Sequence, residues 1–326
     1  MTNHADPIVV VDGLFKQYGK VTAVNNLSFI VYPGETFGLL GPNGAGKTTT
    51  LGIISGLIRP DNGDVTVGGF SVTKDTQKAQ RLLGVVPQGL ALYEDLTARQ
   101  NLTYFARLRG LHQAEIKRQI AQVLEITGLE DAVDQKVRKY SGGMKRRLNI
   151  AIGLLGNPKV LLLDEPTVGI DPQARRHILD AVRRLADNGM TIIYTSHYME
   201  EVEYLCERVS IMDHGLIIAQ GPLYEVRALA GDSVVLRVPA TDELLNDPEA
   251  LDRLKKALPA PLEPSHAELR IILTKGSEQA PEILNILVEH QVSLNGMQIE
   301  APNLETVFLS LTGKALRDNG SEASAS

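Results

Sequence analysis

The chain of 326 residues contains a single cysteine, Cys206. One cysteine excludes an internal disulfide, which suits a reducing compartment, and it reads as a small buried apolar residue rather than a nucleophile. No apolar run reaches the ~18 residues of a membrane span. The opening Met1-Thr2-Asn3-His4-Ala5-Asp6 lacks the basic and apolar regions of a signal peptide. The chain is therefore expected to be soluble, with another chain supplying the spans if it works at a membrane. Positive charge is not in excess either. The formal net charge is −6, which argues against broad nucleic-acid binding. What is plentiful is apolar residues, 43% of the chain, enough for a sizeable core in one large domain plus a small one.

The stretch that organises the rest is Gly41-Pro42-Asn43-Gly44-Ala45-Gly46-Lys47-Thr48, a G-x-x-x-x-G-K-[ST] phosphate-binding pattern. The run Thr36–Leu40 before it reads as a short buried strand, and Thr48–Ile54 after it reads as a helix. Strand, glycine loop and helix are the context that this chemistry needs. Glycines let backbone N–H groups turn onto phosphate oxygens, and the helix N-terminus adds its own free N–H groups. Lys47 suits the β- and γ-phosphates, and the Thr48 hydroxyl suits Mg²⁺.

Further motifs follow in chain order. Ile8–Val11 and Leu27–Val31 read as strands, and Tyr18 between them suits either stacking on a purine base or a plain strand-end role. Asp64–Val67 and Leu83–Val86 are short strands, the second ending near Gln88, which suits a metal and a water or a simple turn. Residues 98–129 look helical, with Ile116, Ile120, Val123 and Leu124 on one face and Gly128 as a C-cap. Lys136, Arg138 and Lys139 read as a solvated face. Tyr140-Ser141-Gly142-Gly143-Met144 opens a helix whose N-terminus is a second anion site or an ordinary cap. Val160–Leu163 is a continuous apolar strand that ends in Asp164-Glu165. Two acids there are costly unless a cation is near. Asp164 suits Mg²⁺, and Glu165 suits a general base that polarises the attacking water. Asp171-Pro172 opens another helix, Thr191–Thr195 is the next strand, and His197 after it suits either a γ-phosphate contact or a plain core histidine.

In this order, over about residues 7–228, these pieces resemble the ATP-binding subunit of ABC transporters. The resemblance implies an α/β P-loop NTPase fold with a helical signature subdomain at about 89–155. It implies that Tyr18 stacks on adenine and that Gly41–Thr48 with Thr49 binds the phosphates. Gln88 falls at the Q-loop, Ser141, Gly142 and Gly143 form the signature, and Asp164 and Glu165 lie in the Walker B segment. Asp171 falls in the D-loop and His197 is the switch histidine. Catalysis is implied for Glu165, His197 and Gln88, and Mg²⁺ ligation for Thr48, Gln88 and Asp164. The usual signature reads Leu-Ser-Gly-Gly-Gln. Tyr140 and Met144 at its ends instead resemble the daunorubicin/doxorubicin-resistance type, whose partners are ABC-2 permeases. Met144 leaves the usual glutamine contact in question. A head-to-tail homodimer is implied, with ATP on Lys47 and Thr48 of one copy meeting Ser141 of the other. Residues 89–135 are expected to meet the permease, on the cytoplasmic face of the cell membrane.

Residues 229–316 read as a separate small α+β domain: strands at 233–238 and 269–273, a helix from Pro281, a strand-like 292–299 and a last helix from Pro302. They contain no cluster with metal-ligand spacing, so packing is the simplest role and ligand sensing the alternative. The polar tail 317–326 is expected to be disordered. The expected function is an ATP-hydrolysing motor for export, including drug or antibiotic efflux. An importer ATPase and a soluble ABC ATPase acting on ribosomes or DNA are the alternatives. The signature and the extension argue against the first. A single P-loop, no sustained heptads and no basic excess argue against the second.

Overall fold

A computed structural model of the chain describes residues 6–231, 234–264, 267–273, 276–300 and 303–312. It divides into two compact units between Gln220 and Gly221.

In the first unit, β1 (Val9–Tyr18) and β2 (Val21–Val31) form an antiparallel hairpin turned at Gly19. Both run longer than their apolar stretches, because polar residues such as Gln17 and Thr22 still pair across the hairpin. With β4 (Asn62–Val67) and β5 (Phe70–Ser71) they make one sheet, in the order β2-β1-β4-β5. The second sheet comprises β3 (Thr36–Leu40), β6 (Leu83–Val86), β7 (Val160–Asp164), β8 (Thr191–Ser196), β9 (Arg208–Asp213) and β10 (Leu216–Pro222), in the order β10-β9-β3-β8-β7-β6. From β9 to β6 its neighbours are parallel. Every residue of β3, β7 and β8 is buried, as a strand covered on both faces requires.

Helix α1 (Lys47–Ile54) packs on β2, β4 and β7 and so joins the two sheets. Their shared core includes Val9, Phe29 and Val65 from the first and Phe37, Leu162 and Ile193 from the second. Leu162 is fully buried in the middle of β7. Leu162→Ala is expected to destabilise this unit by about 2–5 kcal/mol, because the packed neighbours cannot close the space. The check is a lower urea midpoint with an unchanged slope.

After the short α2 (Thr76–Arg81) and β6 come α3 (Ala98–Leu108), α4 (Gln113–Thr127) and α5 (Gly142–Leu154). The stretch 98–129 is therefore two helices. Gly110 takes φ 79°, and bonds from Gly110 N to Arg107 O and from Leu111 N to Ala106 O close α3 with a left-handed cap. Gly128 closes α4 as its pattern suggests. Lys136, Arg138 and Lys139 are exposed, and Arg138 lies 3.4 Å from Asp95. The unit is completed by α6 (Pro172–Asp187) and α7 (Met199–Leu205). Cys206 is buried, and burial pushes its thiol up, away from reactivity.

The second unit begins with α8 (Leu223–Ala228), followed by β11 (Val234–Pro239), α9 (Asp242–Leu245), α10 (Pro248–Ala257), β12 (Leu262–Pro264), β13 (Glu268–Leu273), α11 (Gly276–Glu289), β14 (Gln298–Glu300) and α12 (Leu304–Thr312). The sheet order is β12-β13-β11-β14, all antiparallel. This is the β-α-β-β-α-β arrangement of ferredoxin-like units. Leu236, Val238, Leu269 and Ile271 pack on one face with Leu254 of α10 and Ile283 of α11. On the other face Val235 and Ile272 meet Leu309 of α12, which also packs on α8. Helix α11 begins before Pro281, which sits inside it, where a missing N–H removes one ladder bond without ending the helix. The strand-like 292–299 pairs only from Gln298, because a turn at Asn295-Gly296 (φ 79° at Gly296) interrupts it. Pro302 and the 317–326 tail lie outside the described residues. Among the described residues no helix is long and apolar enough to cross a membrane.

Candidate nucleotide and hydrolytic site

The loop Gly41–Thr48 joins β3 to α1 at the C-terminal edge of the parallel sheet, and its glycines are sterically required. Gly46 takes φ 101°, and a Cβ on it would lie 2.2 Å from Ala23 O. A Cβ on Gly41 would lie 2.3 Å from Met212 O. The loop therefore lies directly against β2 and the end of β9. Lys47, only 4% exposed, donates from Nζ to Gly41 O at 2.6 Å and to Pro42 O at 3.0 Å. The same ammonium lies 3.0 Å from Glu165 Oε1.

Strand β7 ends by delivering two carboxylates to this loop. Asp164 Oδ1 accepts from Thr48 Oγ1 at 3.3 Å and from Thr195 Oγ1 at 2.8 Å. Glu165 follows with φ 44°, an uncommon conformation for a non-glycine residue. Its N–H donates to Thr195 Oγ1 at 3.0 Å. This turn brings the carboxylate back over the loop, where Oε2 accepts from Gln88 Nε2 at 3.3 Å and lies 3.2 Å from His197 Nδ1. Lys47, Gln88 and His197, which come from three separate elements, therefore surround one acid. The cavity beside them, about 460 Å³, is lined by Asn43, Gly44, Lys47, Thr49, Gln88 and Glu165 among others.

Burial raises both acids, and their neighbours set them apart. Burial alone would raise the Glu165 carboxyl, but the His197 hydrogen bond and the Lys47 charge outweigh it and lower it from 4.5 to about 2. It therefore stays ionised at neutral pH. The stability it contributes is present above 4.5 and is lost as pH falls through about 2. Asp164 is raised above 3.8 by burial, with the Thr195 and Thr48 hydroxyls opposing. A carboxylate raised in this way is stabilised by a cation placed beside it. The hydroxyl, carboxylate and amide of Thr48, Asp164 and Gln88 are the hard oxygen donors that suit Mg²⁺. Among the described residues no cluster of three or more His, Cys, Asp or Glu could hold a metal unaided. A Mg²⁺ here would need phosphate oxygens and waters as well, which is its usual mode.

Ser141, Gly142, Gly143 and Asp171 are not brought to this cavity. Ser141 caps α5, its Oγ accepting from Met144 N at 3.2 Å, and Asp171 caps α6, accepting from Ala174 N at 3.0 Å. They line a second concavity of about 200 Å³, with Gly143, Met144, Arg147 and His177. A Cβ on Gly143 would lie 2.5 Å from Ala174 Cβ, so only glycine lets α5 and α6 approach this closely. Tyr140 anchors the loop, donating from its hydroxyl to Ala132 O at 2.7 Å while its ring is buried. Tyr18 is 49% exposed at the end of β1, with Lys16 Nζ 5.4 Å from its ring centre. It is not among the residues lining the P-loop cavity, whereas Ala23 is.

Nothing in the sequence marks Thr195, Ala23, Arg147 or His177, which line or support these two concavities. Thr195 is concealed within an apolar strand, and its only distinguishing feature is its register opposite Asp164. Ala23 has no chemical mark at all.

The ABC transporter family profile matches residues 24–168. Over 94% of its length the chain is 44% identical to the linearmycin resistance ATP-binding protein of Bacillus subtilis, covering 99% of that protein. It is 38% identical to the doxorubicin resistance ATP-binding protein of Mycobacterium tuberculosis, covering 94% of each chain. Among solved structures, cbiO1 of Clostridium perfringens, part of the ABC transporter complex cbiONQ, is 30% identical with a TM-score of 0.63, covering 69% of this chain and 92% of that one.

Proposed function

The chain belongs to the ABC transporter family of ATP-binding proteins, and from that premise we propose that it is the ATP-hydrolysing motor of an exporter of antibiotic-like molecules. The full-length relatives named for linearmycin and doxorubicin resistance support the cargo class. In this reading the motor works as a homodimer on an ABC-2 type permease at the inner face of the cell membrane. The observation that carries the motor reading is the convergence of Lys47, Gln88 and His197 on the buried carboxylate of Glu165 beside the P-loop.

The residues divide the work as follows. Backbone N–H groups of Gly44–Thr49 and the Lys47 ammonium hold the phosphates, Lys47 exchanging its Glu165 contact for the γ-phosphate. Thr48, Asp164 and Gln88 would hold Mg²⁺, which would supply positive charge beside the phosphates. Glu165 orients and polarises the attacking water and accepts its proton. His197 contacts the γ-phosphate, and Tyr18 stacks on the base. The Ser141 concavity and the Lys47 cavity are separate on one copy, which supports a reading in which Ser141, Gly142, Gly143 and Asp171 act on the nucleotide of the second copy. The unit up to Gln220 is the ATPase, and the unit from Gly221 onward, which includes α8 rather than starting at 229, is an accessory domain.

The surface beside Gln88 suits the permease. Leu90, Tyr93, Tyr104 and Leu108 are exposed apolar residues, and the Tyr93 and Tyr104 rings meet edge to face at 5.0 Å. Exposed aromatics grouped next to a hydrolytic loop are what a protein contact needs. Affinity purification of the tagged chain from host membranes in mild detergent tests this reading. The expected result is a stoichiometric polytopic membrane protein that raises the ATPase rate. Recovery with ribosomes or nucleic acid would overturn the exporter assignment.

A further inference from the structure

We propose that Arg146 is a positioning residue that couples the two nucleotide sites of the dimer. It ties the helix that carries Ser141 to the two loops that carry Gln88 and Glu165. The inference rests on the reading above, in which Ser141 serves the nucleotide of the second copy while Gln88 and Glu165 serve the chain's own.

The geometry is specific. Arg146 lies on the second turn of α5, five residues past the Ser141 cap, and is 7% exposed. Its Nη1 donates to Gln88 O and, at 3.4 Å, to Pro87 O. Its Nη2 donates to Val168 O at 3.5 Å. Val168 N in turn donates to Glu165 O at 3.3 Å, so the Val168 carbonyl belongs to the turn that starts at the catalytic acid. Asn149, one helical turn on and 3% exposed, adds a bond from Nδ2 to Pro87 O at 3.3 Å. The inward face of α5 therefore grips the backbone on which Gln88 is mounted. The Gln88 side chain reaches Glu165 from that backbone.

The choice of residue supports a coupling role. Burial lowers the Arg146 pKa, with the Asp164 charge opposing, so the guanidinium is held at some cost. It has no ion-pair partner among the described residues; its partners are backbone carbonyls. An apolar side chain would avoid that cost but leave the Gln88 and Val168 carbonyls without this donor. What a guanidinium adds is a planar fork whose separate nitrogens, Nη1 on one loop and Nη2 on the other, hold the two at a fixed spacing, which a single ammonium nitrogen or a thioether does not provide. Engagement of Ser141 with the second copy's nucleotide pulls on α5. Through this fork the same pull reaches the Gln88 and Glu165 loops.

The test uses the full chain with ATP and Mg²⁺. Wild type, Arg146→Lys, Arg146→Gln and Arg146→Met are compared for equilibrium binding of a fluorescent ATP analogue, melting temperature, kcat, KM and Hill coefficient. Wild type is expected to hydrolyse ATP cooperatively. Lysine keeps the charge, and glutamine keeps one donor with less desolvation, so at least one conservative variant guards against a methionine variant that does not fold. In the variants that fold, kcat is expected to fall about 10-fold or more, since small misplacements of catalytic groups have effects of this size. The Hill coefficient is expected to fall toward unity, while analogue affinity stays within about twofold, as expected for loss of a coupling term rather than of binding. Full kcat and cooperativity in Arg146→Lys would overturn the coupling role. So would a loss confined to melting temperature and affinity. A non-cooperative wild type whose Glu165→Gln variant forms no ATP-bound dimer would instead overturn the dimer reading on which this inference rests.

Discussion

Glu165→Gln is expected to lower ATP turnover by about 10²- to 10⁴-fold, the range assigned to a general base, while leaving ATP bound and two copies held together. The amide matches the carboxylate in shape and can still bond to Gln88 and His197, but it cannot accept a proton from water. Its neighbours are close enough for shape to matter: Lys47 at 3.0 Å, His197 at 3.2 Å and Gln88 at 3.3 Å. The residue is 5% exposed and held at φ 44° by its bond to Thr195, so the side chain has little room to reorient. Bound ATP would then persist between copies, because hydrolysis is what releases it. Single-turnover hydrolysis and size-exclusion chromatography in ATP check the two halves of the expectation. A variant that keeps a tenth of the wild-type rate, by the same scale, would remove Glu165 from the base role. A variant that stays monomeric in ATP would remove the trapped-dimer scheme.

Gly46→Ala is expected to weaken ATP binding by about 100-fold or more, because it combines two effects within the run of N–H groups proposed to hold the phosphates. A left-handed non-glycine residue costs about 1–3 kcal/mol. In addition, the new methyl would lie 2.2 Å from the backbone oxygen of Ala23, so either α1 or β2 must shift. Gly44 separates the two effects. It also has positive φ, 83°, but a Cβ there has nothing within 4 Å. Gly44→Ala is therefore expected to lose only about tenfold, the conformational part of the cost. Gly89, with neither a positive φ nor a close neighbour, serves as the silent control. Equilibrium binding of a fluorescent ATP analogue across the three variants reads this out. Equal losses at Gly44 and Gly46 would show that the contact with Ala23 does not shape the loop.

The motifs differ in how far residue order reveals them. The P-loop is legible because it is contiguous. Two glycines with positive φ, a lysine and a threonine within eight residues dictate their own backbone path and sit between a buried strand and a helix. The fully buried β3, β7 and β8, each with a continuous apolar centre, are legible for a similar reason, since a strand covered on both faces leaves no polar alternation there. Length and composition likewise indicated a large unit and a smaller one, and the second unit's strands at 234–239 and 268–273 follow its apolar runs closely.

Other features depend on contacts between residues far apart in the chain. The split at Gly110 overrides a long helical pattern through a local cap, and the turn at Asn295-Gly296 shortens a strand-like run. Thr195 orients both acids, yet nothing in Thr191–Ser196 distinguishes it from a buried strand residue until β8 is laid beside β7. Arg146 resembles any arginine in a basic run until α5 turns it inward onto carbonyls from two loops. Residue order by itself established the nucleotide chemistry, because a phosphate cradle is built from neighbours along the chain. The grouping of Lys47, Gln88 and His197 around Glu165, and the separation of Ser141 from them, came only from folding, because sheet register and helix packing set distances between segments that the sequence keeps far apart.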